Sequence, residues 1–331
     1  MKNRHIITLA ALILLSMTLK AQDEPLYEKF KKTFKQDYLN LELLTQFAGD
    51  YRSERVTGNN GFFIGNLMVS FSGSMDQNFS YLIRTSFIQS PAILEAALTY
   101  KFNDYLAVTT GRQRIPFNTE ILIYEANTDF VNRANFVSYL APQRDLGVLL
   151  HGNFGKSGFS YSAGAFNGDG VQNGNSDDNL LYSGRLKYLW EPDSHKMIEL
   201  AGAGAYNKTR LAASEKEETM FDMSARLKYG RFMLSGEYLF VKAKQTGGLP
   251  ELQSEGYHAS AGYMAHEKLY IMLRYENYDP AKSLGTAEKN VIFGLNILPS
   301  SVAAFQFNYV VNTEESDFRF HQILAVFQIS L

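Results

Sequence analysis

From about residue 37 to Leu331, apolar and polar residues alternate in strand-length runs. In 38–47, Leu39, Leu41 and Leu43 share one face, and Asn40, Glu42 and Gln46 the other. In 219–229, Phe221, Met223, Leu227 and Tyr229 oppose Asp222, Ser224, Arg226 and Lys228. In 301–311, Ala303, Phe305, Phe307 and Tyr309 oppose Gln306 and Asn308. Period two with one apolar face predicts β-strands. Strands are predicted at 37–48, 61–73, 77–88, 92–102, 105–114, 144–154, 158–167, 179–190, 196–207, 217–229, 231–243, 253–265, 268–278, 287–298, 300–312 and 318–331. The gaps alternate in length. Those at Gly73–Asp76, Asn103–Asp104, Gly155–Ser157, Glu191–Ser194, Gly230, His266–Glu267 and Pro299 are tight and rich in turn residues. Those at 49–60, 115–143, 168–178, 208–216, 244–252, 279–286 and 313–317 are longer and polar, with 89–91 the one short exception.

This rhythm is that of an outer-membrane barrel, with short periplasmic turns and longer extracellular loops. The fold expected is all-β: a transmembrane antiparallel β-barrel of about 16 strands. An even count leaves both termini on the periplasmic side. A soluble sandwich lacks the alternation of gaps, and a propeller would repeat about every 40 residues. The one internal echo, Gly184–Tyr188 with Ala225–Tyr229, is explained by equivalent positions at the rim.

Composition agrees. The chain has 331 residues, enough for one such barrel. Charged residues are 20% and aromatic residues 14%, with 24 Phe and 20 Tyr but 1 Trp, which suits two interfacial girdles. Mean hydropathy is −0.20, as expected when each strand is apolar on one face only. There is no Cys, so neither disulfides nor thiolate metal sites arise.

Residues 1–22 read as a secretory signal peptide, with Lys2, Arg4 and His5 ahead of an apolar core from Ile6 to Leu15. Residues 23–36 are charged and lack alternation, which predicts a periplasmic lead-in with a short helix. Removing Lys2, Arg4 and Lys20 from the 32 basic residues leaves 29 against 34 acidic, which argues against nucleic acid as a partner.

The longest gap, 115–143, is half apolar: Ile121, Leu122, Ile123, Tyr124, Phe130, Val131, Phe136, Tyr139 and Leu140. A loop in free solvent needs none of these; one folded into a barrel packs them on the inner wall. This third loop is therefore expected to fold inward. The candidate pore constriction comprises Arg112, Arg114, Glu120, Glu125, Asp129, Arg133, Arg144 and Asp145, because rings of charge and bore diameter set selectivity in pores. Strand parity turns Arg84, Arg185, Lys187, Arg226, Lys228 and Arg274 to the lumen, with Glu42, Glu95, Glu199, Asp222, Glu237 and Glu276, since lipid-facing charges cost several kcal/mol near the midplane.

Gly111-Arg-Gln-Arg-Ile-Pro-Phe117, then Arg144-Asp-Leu-Gly-Val148, then Tyr161-Ser-Ala-Gly-Ala-Phe-Asn-Gly168 resembles the phosphate-selective porin O and P family, most clearly over 100–170. The resemblance implies a 16-stranded porin, usually a homotrimer, whose third loop folds inward. In that family anion preference rests on a dense basic ladder; here basic and acidic residues are mixed. The final strand, Phe320 to Leu331, resembles the signal read by the barrel-assembly machinery, with Leu331 where Phe is usual.

Enzymatic motifs are missing. There is no Ser-x-Gly elbow, His-Glu-x-x-His or glycine-rich phosphate loop, and His151 and His258 read as wall residues. The expectation is a non-enzymatic, cofactor-free porin of the bacterial outer membrane. It would be exported through the periplasm, sit in the outer-membrane bilayer and pass small polar or anionic solutes, phosphate among the candidates. A non-conducting barrel serving as adhesin or structural anchor through its extracellular loops fits the same pattern.

Overall fold

The structure, a computed structural model, describes residues 25–52, 60–88, 90–170, 174–211, 214–245, 250–282, 284–285, 287–313 and 321–331. The predicted signal peptide lies outside the described residues. The lead-in forms one helix, α1 (Pro25–Phe34). Sixteen strands follow: β1 (Asn40–Arg52), β2 (Gly61–Ser74), β3 (Phe79–Ser86), β4 (Ala92–Asn103), β5 (Leu106–Arg114), β6 (Arg144–Asn153), β7 (Phe159–Phe166), β8 (Leu181–Asp193), β9 (Lys196–Leu211), β10 (Ser214–Tyr229), β11 (Phe232–Gln245), β12 (Leu252–His266), β13 (Leu269–Asp279), β14 (Glu288–Ile297), β15 (Ala303–Asn312) and β16 (Gln322–Ser330). Each pairs antiparallel with its sequence neighbours, and β1 pairs with β16 to close the barrel.

The seam runs from Leu44 opposite Ser330 to Arg52 opposite Gln322. It continues past the end of β16, where Leu331 exchanges backbone hydrogen bonds of 3.3 and 2.9 Å with Leu43 of β1. The short turns form for local reasons. Asp76 Oδ1 accepts from the Asn78 and Phe79 amides, both at 2.7 Å, and Asn103 Oδ1 accepts from Tyr105 and Leu106 at 2.8 and 3.0 Å. Gly230 takes the left-handed conformation (φ 61°) in the two-residue turn from β10 to β11, where a side chain would be strained.

Polar groups lie inside and apolar ones outside. Gln46, Ser70, Asp222, Asn308 and Gln328 are buried, while Leu186, Met223, Leu234 and Phe293 are exposed. Such an exterior has a favourable solvent only in lipid.

Two predicted boundaries need correction. The gap expected at 208–216 is mostly strand, because β9 and β10 stay paired as far as Leu211 opposite Ser214. Opposite charges across this ribbon hold it together, with Arg210 2.6 Å and Lys208 3.2 Å from Glu215. At 16 residues each, these strands exceed the roughly 9–11 needed to span a bilayer. The first strand also starts later than predicted, at Asn40, since Asp37–Leu39 turn the chain back from α1. Of the predicted last strand, 318–320 fall outside the described residues.

The inside–outside alternation is directly testable. Met223→Arg places a charge on the outer face about midway along β10 and should lower barrel stability by about 2–4 kcal/mol. Ser224→Arg, one residue on, should leave the barrel folded. Urea titration followed by heat-modifiable electrophoretic mobility reads both; equal losses would mean the faces are misassigned.

Candidate functional site

The 29 residues between β5 and β6 do not leave the barrel. They carry two short helices, α2 (Thr119–Leu122) and α3 (Asn135–Leu140). Asn118 caps α2, its side-chain oxygen accepting from the Ile121 amide at 3.1 Å. The same side chain donates to Asp222 on β10 at 2.9 Å, so the local cap is also a tether to the wall.

The loop's apolar residues explain its path. Ile115, Phe117, Ile121, Phe136 and Val137 are buried against Phe166, Leu181, Met220, Leu239 and Val241 of the inner wall. Phe130 fills a second contact with Met272 and Ile292. Removing such side chains from water supplies roughly 1.5–3 kcal/mol each. Gly256 on β12 permits the approach of α3, because a Cβ there would collide with the Phe136 side chain. Two predicted wall residues do not pack this way. Leu122 is 37% exposed and Tyr139 72%, the latter stacking on Tyr278 at 5.4 Å, so both border open lumen.

Hydrogen bonds then tie the loop to opposite sides of the barrel. On one side, Ser183 and Arg185 of β8 donate to the Pro116 and Phe117 carbonyls (3.0 and 2.9 Å), and Glu237 of β11 accepts from the Thr119 amide at 2.6 Å. On the other, Asn296, Gln306 and Gln328 donate to the carbonyls of Asp129, Thr128 and Ala126 at 2.8, 2.7 and 3.1 Å. Asn308 accepts from the Val131 amide at 2.8 Å. Since β8 and β16 stand half a circuit apart, the loop crosses the bore.

Where it returns, the candidate charges converge. Glu95 accepts from Arg84, Arg114 and Arg144 at 3.1, 3.1 and 2.9 Å. Glu125, on the loop, lies 2.7 Å from both Arg114 and Arg144 and 3.6 Å from Arg133. Glu42 approaches Arg84 at 3.9 Å. Arg114 also holds the Ile121 and Ile123 carbonyls, and Arg84 lies 4.7 Å from the centre of the Tyr124 ring. Burial pushes the Glu125 carboxyl up, but Arg114 and Arg144 outweigh it and hold the group down at about 2. Glu125 therefore stays ionised throughout the neutral range.

A second cluster sits under α2. Glu120 pairs with Arg274 and lies 3.7 Å from His258, which is 3.8 Å from Glu237. Glu276 is 4.0 Å from Arg274, and Asp222 is fully buried nearby. Burial opposes ionisation of Glu120, but Arg274 and then His258 outweigh it and hold its carboxyl below the usual range. Burial alone leads in Asp129, whose carboxyl is pushed up.

The expected constriction set thus divides. Arg114, Glu125, Arg133 and Arg144 meet in the first cluster and Glu120 in the second. Arg112 donates instead to the Ile93 carbonyl at 2.9 Å. Asp145 accepts from the Leu146 and Gly168 amides at 2.7 and 2.5 Å, tying β6 to the chain after β7. Among the predicted wall charges, Arg84, Arg185, Arg274 and Glu237 contact the loop or its partners. Lys187 and Arg226 line open space, and Glu199 is 3.9 Å from Arg226. Lys228 keeps its inward position by parity, opposite Met233. Missed from the sequence were Asn118 and the amide row Asn296, Gln306 and Gln328. Alternation put Gln306 on an inner face, but only the fold shows that the three amides hold loop carbonyls and that Asn118 holds Asp222.

Two spaces of about 450 Å³ each flank the loop's 121–125 stretch. One opens toward the short turns and is lined by Arg114, Arg185, Lys187 and Arg226 with Glu199 as its one carboxylate. The other faces the long loops, between Arg52, Glu125 and Arg133.

A closed 16-stranded antiparallel barrel with a folded loop across its bore is the architecture of a porin. Residues 47–191 match the family model of the phosphate-selective porins O and P, so the resemblance seen in the sequence holds over that stretch. No curated protein matches the chain. Among solved structures, an anion-selective porin from Comamonas acidovorans aligns at TM-score 0.69 and 14% identity, covering 88% of this chain and 99% of that one. OmpF of Salmonella typhi, in complex with daunomycin, aligns at 0.64 and 12% identity, covering 88% and 97%. In-vitro folded OmpT of Vibrio cholerae in its trimer form aligns at 0.63 and 11% identity, covering 88% and 99%. At such identities the likeness is one of fold.

Two substitutions test the site's construction. Glu95→Gln leaves three converging guanidinium groups short of a carboxylate and should destabilise the fold by about 3–5 kcal/mol. A urea midpoint within error of wild type would show that the cluster carries no stability. Gly256→Ala should displace α3 while the barrel still assembles, read as new protease sensitivity within 115–143. Unchanged resistance would show that the wall yields instead.

Proposed function

We propose that the protein is an outer-membrane porin for passive diffusion of small polar or anionic solutes, with short turns in the periplasm and long loops outside. The observation that carries this reading is the loop crossing the bore with open space on both sides, the inner space lined by four cations to one carboxylate. No chemistry is required of such a site. Bore size excludes large solutes, and confined charge biases small ions where salt screens less than on an open surface. The constriction is assigned to Arg114, Glu125, Arg133 and Arg144, with Arg84 and Glu95 behind them. Arg112 and Asp145 are given supporting positions at its edge. Residues 1–22 are the export signal, and the assembled form is a homotrimer delivered by the barrel-assembly machinery.

A second reading has one observation in its favour. A loop tethered to both sides of the bore is also a plug, which suits a non-conducting barrel that acts through its outer loops. Planar-bilayer conductance separates the two. The porin reading expects discrete channels whose conductance rises several-fold when 121–139 are deleted. Neutralising Arg114, Arg133 and Arg144 should move the reversal potential in a salt gradient toward cations. A wild-type protein silent in the bilayer, opened only by the deletion, would establish the plug.

A further inference from the structure

We propose that α1 is an interfacial helix that docks its aromatic face on an anionic phospholipid surface at the short-turn rim of the barrel. The proposal rests on the membrane reading above.

Tyr27, Phe30 and Phe34 recur at helical spacing and are half-buried, with the two phenylalanine rings 5.1 Å apart. Lys29, Lys31 and Lys32 are exposed around them. From Pro25 to Gln36 there are four lysines and one acid, Glu28, in a chain that is otherwise net acidic. Aromatic residues on one side, with Lys31 flanking them and Lys29 and Lys32 on the opposite side, are what a helix lying in a membrane interface requires.

The helix is also held where such a surface would be. Lys35 extends to the carbonyl of the last residue, Leu331, at 3.3 Å, and bridges to Asn40 at the start of β1. Tyr38, 67% exposed, accepts through its carbonyl from Tyr81 at 3.0 Å. The helix therefore leaves the barrel beside its outward aromatic residues, a few residues from the membrane-embedded part of β1. Each lysine near an anionic leaflet strengthens binding about fivefold.

A second copy of the chain is the poorer partner. Ten residues give fewer than two heptads, too short for a stable coiled coil, and lysines flanking the apolar stripe would face one another.

The chain has a single tryptophan, Trp190, so F30W in a W190F background reports on the helix alone. Full-length protein is reconstituted into phosphatidylcholine vesicles with or without phosphatidylglycerol, the acyl chains brominated. With phosphatidylglycerol, quenching of F30W should be at least about twofold, as for a ring at the acyl boundary. K29Q/K31Q/K32Q, or high salt, should relieve it. Heat-modifiable mobility confirms that each variant holds a folded barrel, and conductance in the same vesicles reports separately on the porin reading. Absence of quenching in either lipid would overturn the proposal. So would quenching indifferent to lysines and salt, or a T33C cross-link between copies formed as quenching is lost.

Discussion

Closure of the hydrogen-bond ladder governs this protein. A strand in hydrocarbon has no water to satisfy its backbone, and an open sheet edge would leave a row of bare donors and acceptors. Pairing of β1 with β16 removes that edge. Once the sheet is closed, period two leaves each side chain only two choices, lipid or lumen. Arg84, Glu95, Arg185, Asp222, Glu237 and Arg274 are all buried on the inner side, and the lumen fills with groups that must find one another.

The two charge clusters follow from that crowding. Glu95 collects three arginines because strands β3 to β6 each deliver a side chain to the same stretch of wall. Buried ion pairs of this kind contribute little net stability, but losing one partner is costly. Their value here is positional. Glu125 joins the cluster from the loop, so the bridge that fixes the wall also fixes the loop. The apolar contacts of Phe117, Phe130 and Phe136 hold the remainder down. The loop is thus part of the core, and the bore's shape is decided by the same packing that decides stability.

The resulting lumen carries charge of both signs on each side, in different proportions. Arginines from β3 to β6 gather near the return of the loop, and carboxylates on β10 to β13 gather beneath α2. In the porin reading proposed above, a solute passing between them would meet both signs, an arrangement that can order dipolar molecules as well as bias ions.

Strand number, strand parity and the inward course of 115–143 could all be read from the chain. Each depends on local alternation, or on a long polar gap that carried too much apolar surface for solvent. The ribbon beyond 207 could not, because its stability comes from charges facing across two strands, a register that appears only on pairing. Nor could the division of the constriction set. Arg112 and Arg114 are two residues apart in sequence, yet one reaches the Ile93 carbonyl and the other Glu95 and Glu125. Gln306 was legible as inward and polar, but the purpose of Asn296, Gln306 and Gln328 lies in carbonyls more than 160 residues away in the chain. Periodicity assigns a side chain to a face; it says nothing of what crosses the space in front of it. The sequence by itself therefore determined a barrel and its two faces, while the tertiary structure decided which charges meet, because that depends on the path of one loop through a closed interior.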